Sequence, residues 1–231
     1  MIAVLTNNLL WTNGLGIVIA SIVLFLFGMA KWKFFAYFGL FLFLFSLYFF
    51  RNPVRECLQA KNNPTILVCP ADGKVVDIQK NASDLPEGYV QKVSIFLSVF
   101  DVHVNRTPIT GVVKQVVYKA GKFMMAFLPK SSELNERNDI VIEDKYGRNI
   151  LVRQIAGTIA RKICCWTQKG QLLRSGTIYG MVKFGSRVGI LLPKNVDIQV
   201  SKNQQVYGGQ TVLGKFVLDS LNSVEEEKNE A

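Results

Sequence analysis

Two apolar runs dominate the first fifty positions. Leu15 to Ala30 carries no charge, Lys31-Trp32-Lys33 interrupts, and Phe34 to Phe50 follows, ending at Arg51. Neither run shows a polar stripe, so both are predicted helices that are apolar all round. Each is near the lower limit of about 17 residues for a segment that spans a bilayer. Trp32, Tyr37 and Tyr48 lie near the run ends, where interfacial aromatic residues sit. Residues 1–52 therefore read as a membrane-associating hydrophobic hairpin. It either crosses twice or dips into one leaflet, and a soluble, fully buried helical pair is the alternative. A cleaved signal peptide fits badly, because no basic region precedes the first run and a second run follows at once.

After Pro53 the pattern changes to short stretches rich in Val and Ile between turn signals. The predicted strands are Thr65–Cys69, Gly73–Gln79, Val93–Phe100, Gly111–Tyr118, Ile140–Glu143, Asn149–Ile155, Thr158–Cys165, Gly180–Phe184, Arg187–Leu192 and Asp197–Val200. Their number and spacing predict a mainly β domain over residues 53–231, built as a sandwich or barrel-sandwich. Helical periodicity is weak, with Gly121 to Leu128 as the one candidate. Pro70-Ala71-Asp72-Gly73-Lys74-Val75 and Pro108-Ile109-Thr110-Gly111-Val112-Val113 share Pro-x-x-Gly-x-Val, and Ala156-Gly157-Thr158-Ile159 is a shorter echo. Each places a tight turn before a strand.

Composition narrows the partners. The 231-residue chain has a formal net charge of +10. Such a surface suits nucleic acid or an anionic membrane. The greasy N-terminus favours the membrane, and no zinc-finger spacing or RNA-binding aromatic motif points to nucleic acid. The charges that follow the second run, Arg51, Arg55 and Lys61, place that side in the cytoplasm by the positive-inside rule, while Lys31 and Lys33 pull the other way. Cys57, Cys69, Cys164 and Cys165 form no CxxC pair, and His103 is the only histidine, so no metal site is expected. The cysteines read as small apolar fillers in a reducing compartment.

Four clusters carry candidate chemistry. Asp72, in Pro70-Ala71-Asp72-Gly73-Lys74, reads either as a hairpin-turn residue or as a carboxylate that orients a base. Asp101, His103 and Asn105 alternate at period two, which in a strand turns them to one face. That face is either solvated or holds a general acid or base. Lys130 to Asn138 is a polar, charged stretch, read as a solvated loop or as a head-group site with Arg137 facing an anion. The fourth cluster is Lys183-Phe184-Gly185-Ser186-Arg187-Val188. A Gly-Ser pair is an ordinary turn signal. It can also cut itself: the serine hydroxyl attacks the carbonyl of the preceding glycine, the amide becomes an ester, and elimination leaves dehydroalanine. Tautomerisation and loss of ammonia then give a pyruvoyl group at position 186.

Taken in order, Arg51-Asn52-Pro53, Pro70-Ala71-Asp72-Gly73-Lys74, Asp101-Val102-His103-Val104-Asn105-Arg106, Ser132 to Asn138, Gln154-Ile155-Ala156-Gly157 and Phe184-Gly185-Ser186 resemble the short-form phosphatidylserine decarboxylase proenzymes over nearly the whole chain. The resemblance implies self-cleavage at Gly185–Ser186 into a β chain 1–185 and an α chain 186–231 that stay together as a heterodimer. It implies a pyruvoyl cofactor derived from Ser186, which forms a Schiff base with the amine of phosphatidylserine. His103 and Asp72 are the catalytic residues it carries over, and the cell membrane, with the catalytic domain on the cytoplasmic side, is the location. Longer family members carry a second histidine three positions after the first, where this chain has Arg106. The cleavage base is then His103 itself, or strain and hydrogen bonding around Gly185 take its place. A pyruvoyl decarboxylase of a soluble amino acid and a non-catalytic, membrane-tethered barrel-sandwich adaptor are the alternative functions.

Overall fold

The computed structural model describes residues 14–30, 32–122, 134–157, 163–183 and 186–217. Gly185, most of the helical candidate 121–128 and the first half of the expected strand 158–165 lie outside the described residues. By its contacts the chain forms two compact units. One holds the N-terminal residues to Val54 together with Phe100–Val102, and the other holds the rest.

The first unit contains two helices, α1 (Leu15–Ala30) and α2 (Lys33–Phe49). Their small residues lie buried: Ser21 and Gly28 on α1, Ala36, Gly39 and Ser46 on α2. A β-carbon on Gly28 would come within 2.0 Å of the Ala36 nitrogen, and one on Gly39 within 2.6 Å of the Phe25 nitrogen. The backbones therefore touch where the side chains are smallest, the packing style of helices in lipid. The large apolar side chains point outward. Met29, Phe34 and Tyr37 are each at least 70% exposed. No described helix is long and apolar enough to cross a membrane. Within the same unit, Tyr48 Oη (3.0 Å) and Arg51 Nη2 (2.6 Å) both donate to the Phe100 carbonyl.

The second unit is mainly β, with one short helix, α3 (Leu58–Asn62). Its largest sheet runs β13 (Gln205–Val206), β2 (Gly73–Gln79), β3 (Gln91–Leu97), β11 (Ser186–Leu192), β7 (Asn149–Ile155), β6 (Arg137–Glu143), β5 (Gly111–Lys119), β9 (Leu172–Leu173). Two three-stranded sheets accompany it. One is β1 (Ile66–Val68), β14 (Val212–Phe216) and β12 (Val196–Ile198). The other is β4 (Val104–Arg106), β10 (Ile178–Val182) and β8 (Ile163–Cys165). Among the described residues the strands pair antiparallel, an isolated parallel bridge joins Lys122 to Asn135 outside them, and the large sheet does not close into a barrel.

The core draws on all three sheets. Val93, Ile95, Val188, Ile190, Val152 and Ile140 line the inner face of the large sheet, and Leu67, Leu213, Phe216 and Tyr179 come from the small ones. Alternation along β11 sends Ser186, Val188, Ile190 and Leu192 inward, since Val188, Ile190 and Leu192 belong to that core.

The sequence echo has a structural counterpart. Gly73 opens β2 and Gly111 opens β5. A β-carbon on Gly73 would lie 2.1 Å from the Phe96 carbonyl oxygen, and one on Gly111 would lie 2.4 Å from that of Glu143. Each strand then carries an irregularity just past the shared valine, between Val75 and Asp77 and between Val113 and Gln115. Two copies of one turn-strand-bulge device thus lie second from the two edges of the same sheet.

Candidate functional site

The site residues gather at one end of the large sheet. Ser186 is the first residue of β11 and pairs with Leu97 of β3. On the other side of β3, Lys74 pairs with Phe96, so the start of β2 reaches the same end. Asp72 precedes β2 by one residue. Two strand spacings of about 4.8 Å separate the Asp72 and Ser186 backbones, roughly 10 Å.

Ser186 is fully buried, and its Oγ has no hydrogen-bond partner among the described residues. A buried hydroxyl without a partner is unusual in a native interior. Gly185, the residue before it, lies outside the described residues.

His103 is also fully buried. It lies just before β4, not within a strand that also contains Asp101. The expected three-residue face of Asp101, His103 and Asn105 is not formed by one strand, because Asp101 falls in a bend and β4 begins at Val104. The His103 carbonyl accepts from the Val182 amide at 3.3 Å, which extends the β4–β10 pairing by one position. Residues 183–185 then link the end of β10 to Ser186.

A second line of connection joins the two sheets. Gln154 of β7 stands opposite Val188 of β11. Its Nε2 donates to Asn105 Oδ1 of β4 at 2.8 Å. From this contact, two residues along β11 lead to Ser186 and two residues back from Asn105 lead to His103. Ser186 and His103 are therefore placed at the same end of the space between the sheets.

Gln154 Oε1 accepts from Asn138 Nδ2 at 3.0 Å. Asn135 Nδ2 donates to the Ala156 carbonyl at 2.8 Å. Asn135, Glu136 and Asn138 are all buried, and residues 137–143 form β6. This corrects the expectation of a solvated loop for the described part of 130–138. Gly180 makes the inter-sheet bond possible, because a β-carbon there would sit 2.9 Å from Gln154 Nε2 and 2.4 Å from the Cys164 carbonyl oxygen.

Asp72 is 4% exposed and fully engaged. Arg55 grips it with both guanidinium nitrogens, Nη1 to Oδ1 and Nη2 to Oδ2, the latter at 2.8 Å. The Gly208 amide donates to Oδ1 at 2.9 Å. Arg106 lies close by: its amide donates to the Pro70 carbonyl at 2.8 Å, and its Nη1 to the Gly176 carbonyl at 3.0 Å. Burial, then repulsion from Arg55, pushes the Arg106 guanidinium below its ordinary value, with Asp72 acting against both. A carboxylate flanked by two guanidinium groups is an electrostatic anchor for the turn that opens β2. Reading the sequence singled out Asp72 but took Arg55 only as a charge beside the hairpin. No local pattern joins two residues seventeen positions apart.

The family model described as phosphatidylserine decarboxylase matches residues 42–214. A phosphatidylserine decarboxylase proenzyme of Carboxydothermus hydrogenoformans is 48% identical over 177 residues, 76% of this chain and 81% of the relative. Proenzymes of the same name from Desulfotalea psychrophila and Ehrlichia chaffeensis are 42% and 45% identical, covering 75% and 74% of this chain and 80% and 75% of their own. The match takes in the second half of α2 together with Asp72, His103 and Ser186, and the chain belongs to the phosphatidylserine decarboxylase family.

Proposed function

We propose that the protein converts phosphatidylserine to phosphatidylethanolamine and carbon dioxide, at a pyruvoyl group that the chain makes from Ser186 by cutting itself after Gly185. The observation that carries this reading is the Ser186 Oγ, fully buried and without a hydrogen-bond partner among the described residues at the head of a central strand, in a chain of this family. A pyruvoyl group supplies an electron sink for the pair left behind as carbon dioxide departs.

The chain's own residues do the rest. The space between the sheets excludes water from position 186, since Val188 and Leu97 around it are fully buried. His103, placed at the same end, delivers the proton that replaces the carboxyl group. Asp72 acts at a distance: clamped by Arg55, it fixes the start of β2 and contributes its charge to the sheet end. With Arg106 where longer relatives have a histidine, His103 is the one imidazole available to take the Ser186 hydroxyl proton during chain cleavage.

The helical pair and the positive charge hold the enzyme at an anionic bilayer. At 1.5 Å per residue, a helix the length of α1 spans about 24 Å, less than the roughly 30 Å hydrocarbon core. Each helix is therefore shorter than the full hydrocarbon thickness, and the pair enters the bilayer with Arg51, Arg55 and Lys61 and the catalytic domain on the cytoplasmic side. After cleavage, residues 1–185 and 186–231 remain together as a heterodimer.

Intact-mass measurement and a denaturing gel test this reading, run beside an assay on phosphatidylserine vesicles and on free serine. Two fragments, activity on the lipid alone, and a single inactive chain for Ser186→Ala are expected. An uncut chain in an active preparation overturns the pyruvoyl mechanism, and turnover of free serine overturns the lipid substrate.

A further inference from the structure

The buried amides between the sheets form a directional chain. Asn138, Gln154 and Asn105 are 2%, 0% and 0% exposed. Asn138 uses its nitrogen on Gln154 Oε1, so Gln154 must turn its own nitrogen to Asn105 Oδ1. Flipping any one amide alone would set oxygen against oxygen or nitrogen against nitrogen, so the three orientations are coupled, with Asn138 Nδ2 as the first donor. The chain ends in Asn105 Nδ2. This nitrogen is buried and has no acceptor among the described residues. Natural interiors rarely leave a donor in that state. Three amides from two sheets thus leave one N–H pair without a partner among the described residues, at the end of the inter-sheet space that holds Ser186 and His103.

We infer that Asn105 Nδ2 receives a carboxylate oxygen of the substrate's serine head group. This rests on the substrate proposed above. The chemistry suits a neutral donor. The carboxylate must give up its charge as it leaves, and a guanidinium in that place would stabilise the charged ground state and oppose the reaction. An amide fixes the direction of the carboxylate with less stabilisation of its charge. Arg55 and Arg106, two cations near this sheet end, are instead committed around Asp72 and the Gly176 carbonyl.

The test uses two soluble ligands that cannot be turned over, because neither has an amine: the glycerophosphate esters of 3-hydroxypropionate and of 1-propanol. They differ in the carboxylate alone. Binding to the full-length protein is measured by calorimetry, with chain cleavage followed on a gel. The wild type is expected to prefer the carboxylate ligand by on the order of 10-fold, the value of one hydrogen bond to a charged group. Asn105→Asp keeps the acceptor for Gln154 and removes the donor. It should abolish the preference, leave binding of the propanol ester unchanged, and raise KM for phosphatidylserine more than it lowers kcat. Asn105→Ser, which retains a shorter donor, should keep part of the preference.

No preference in the wild type overturns the inference, as does an unchanged preference in Asn105→Asp. Equal loss of both ligands also overturns it, by showing a purely structural role. If the wild-type chain stays uncut and inactive, the proposed function fails while the ligand pair still reads Asn105 independently.

Discussion

Arg55 and Asp72 meet in a two-pronged ion pair in which both side chains are largely buried, 12% and 5% exposed. The Gly208 amide takes up further acceptor capacity on the same carboxylate. Removing the cation leaves Asp72 buried against a single amide and the more distant Arg106. Arg55→Met is therefore expected to destabilise the β domain by about 3 kcal/mol. Urea unfolding measures this, and a midpoint unchanged from wild type would contradict the anchoring role given to the pair.

Gly180 is the second sensitive position. Its missing side chain leaves the space through which Gln154 reaches Asn105. Gly180→Ala should cost about 1–3 kcal/mol through overpacking against the Cys164 carbonyl and the Gln154 amide. Thermal unfolding checks it. Substitution at Gly147, where a β-carbon meets nothing within 4 Å, provides the contrast, although its φ of +77° adds a backbone cost of its own.

Stability should fall on the alkaline side. Burial, and secondarily Asp72, pushes the Cys69 thiol up, and burial pushes the Tyr179 phenol well up. In the unfolded chain these groups ionise near pH 8.5 and about 10. Both are neutral in either state at lower pH, so their contribution is fully present there. As pH rises past the unfolded values the unfolded chain loses protons first, and stability drops by about 1.4 kcal/mol per pH unit for each group. The loss continues until the folded groups themselves ionise. Cys69→Ala should remove the earlier part of the decline and Tyr179→Phe the later part. The Tyr179 hydroxyl has no hydrogen-bond partner among the described residues, so its removal should change stability at neutral pH by less than about 1 kcal/mol.

The helical pair makes its own prediction. Gly28→Val introduces a side chain where the Ala36 backbone stands 2.0 Å from the nearest possible β-carbon. The cost to packing between α1 and α2 is about 2 kcal/mol. Limited proteolysis in detergent should then cut the N-terminal region faster, while the β domain keeps its wild-type unfolding curve.

How much of this could be read beforehand depended on whether the signal was local. The helical pair was legible because apolar composition is continuous over each run. Strands β2, β5, β7 and β11 were legible because Gly73, Gly111, Asn149 and the Gly-Ser pair mark their starts with turn chemistry. Strands β4, β9, β13 and β14 were not. Three of these have two or three residues, too short for alternation to show, and Val212–Phe216 contains a glycine and a lysine that break the apolar pattern. The amide chain was hidden for a different reason. Asn138, Gln154 and Asn105 are individually ordinary polar residues, and only the pairing of β6 with β7, and of β4 with β10, turns them toward one another. Period-two spacing suggested a shared face for His103 and Asn105, but nothing in the spacing shows that the strand begins only at Val104.

Ser186 begins a strand that lies between two others, registered against β3 over seven residues and against β7 over five. Beyond it, β14 pairs with β1 and β13 with β2. A scission before Ser186 would therefore hand the smaller fragment a central rung of the large sheet, an outer rung of the same sheet, and two of the three rungs of another. The two polypeptides would be woven through each other, and the smaller would keep no complete sheet of its own to retreat into. Separation would demand global unfolding, so the cut should be invisible to every probe of tertiary structure and visible only once the chains are denatured.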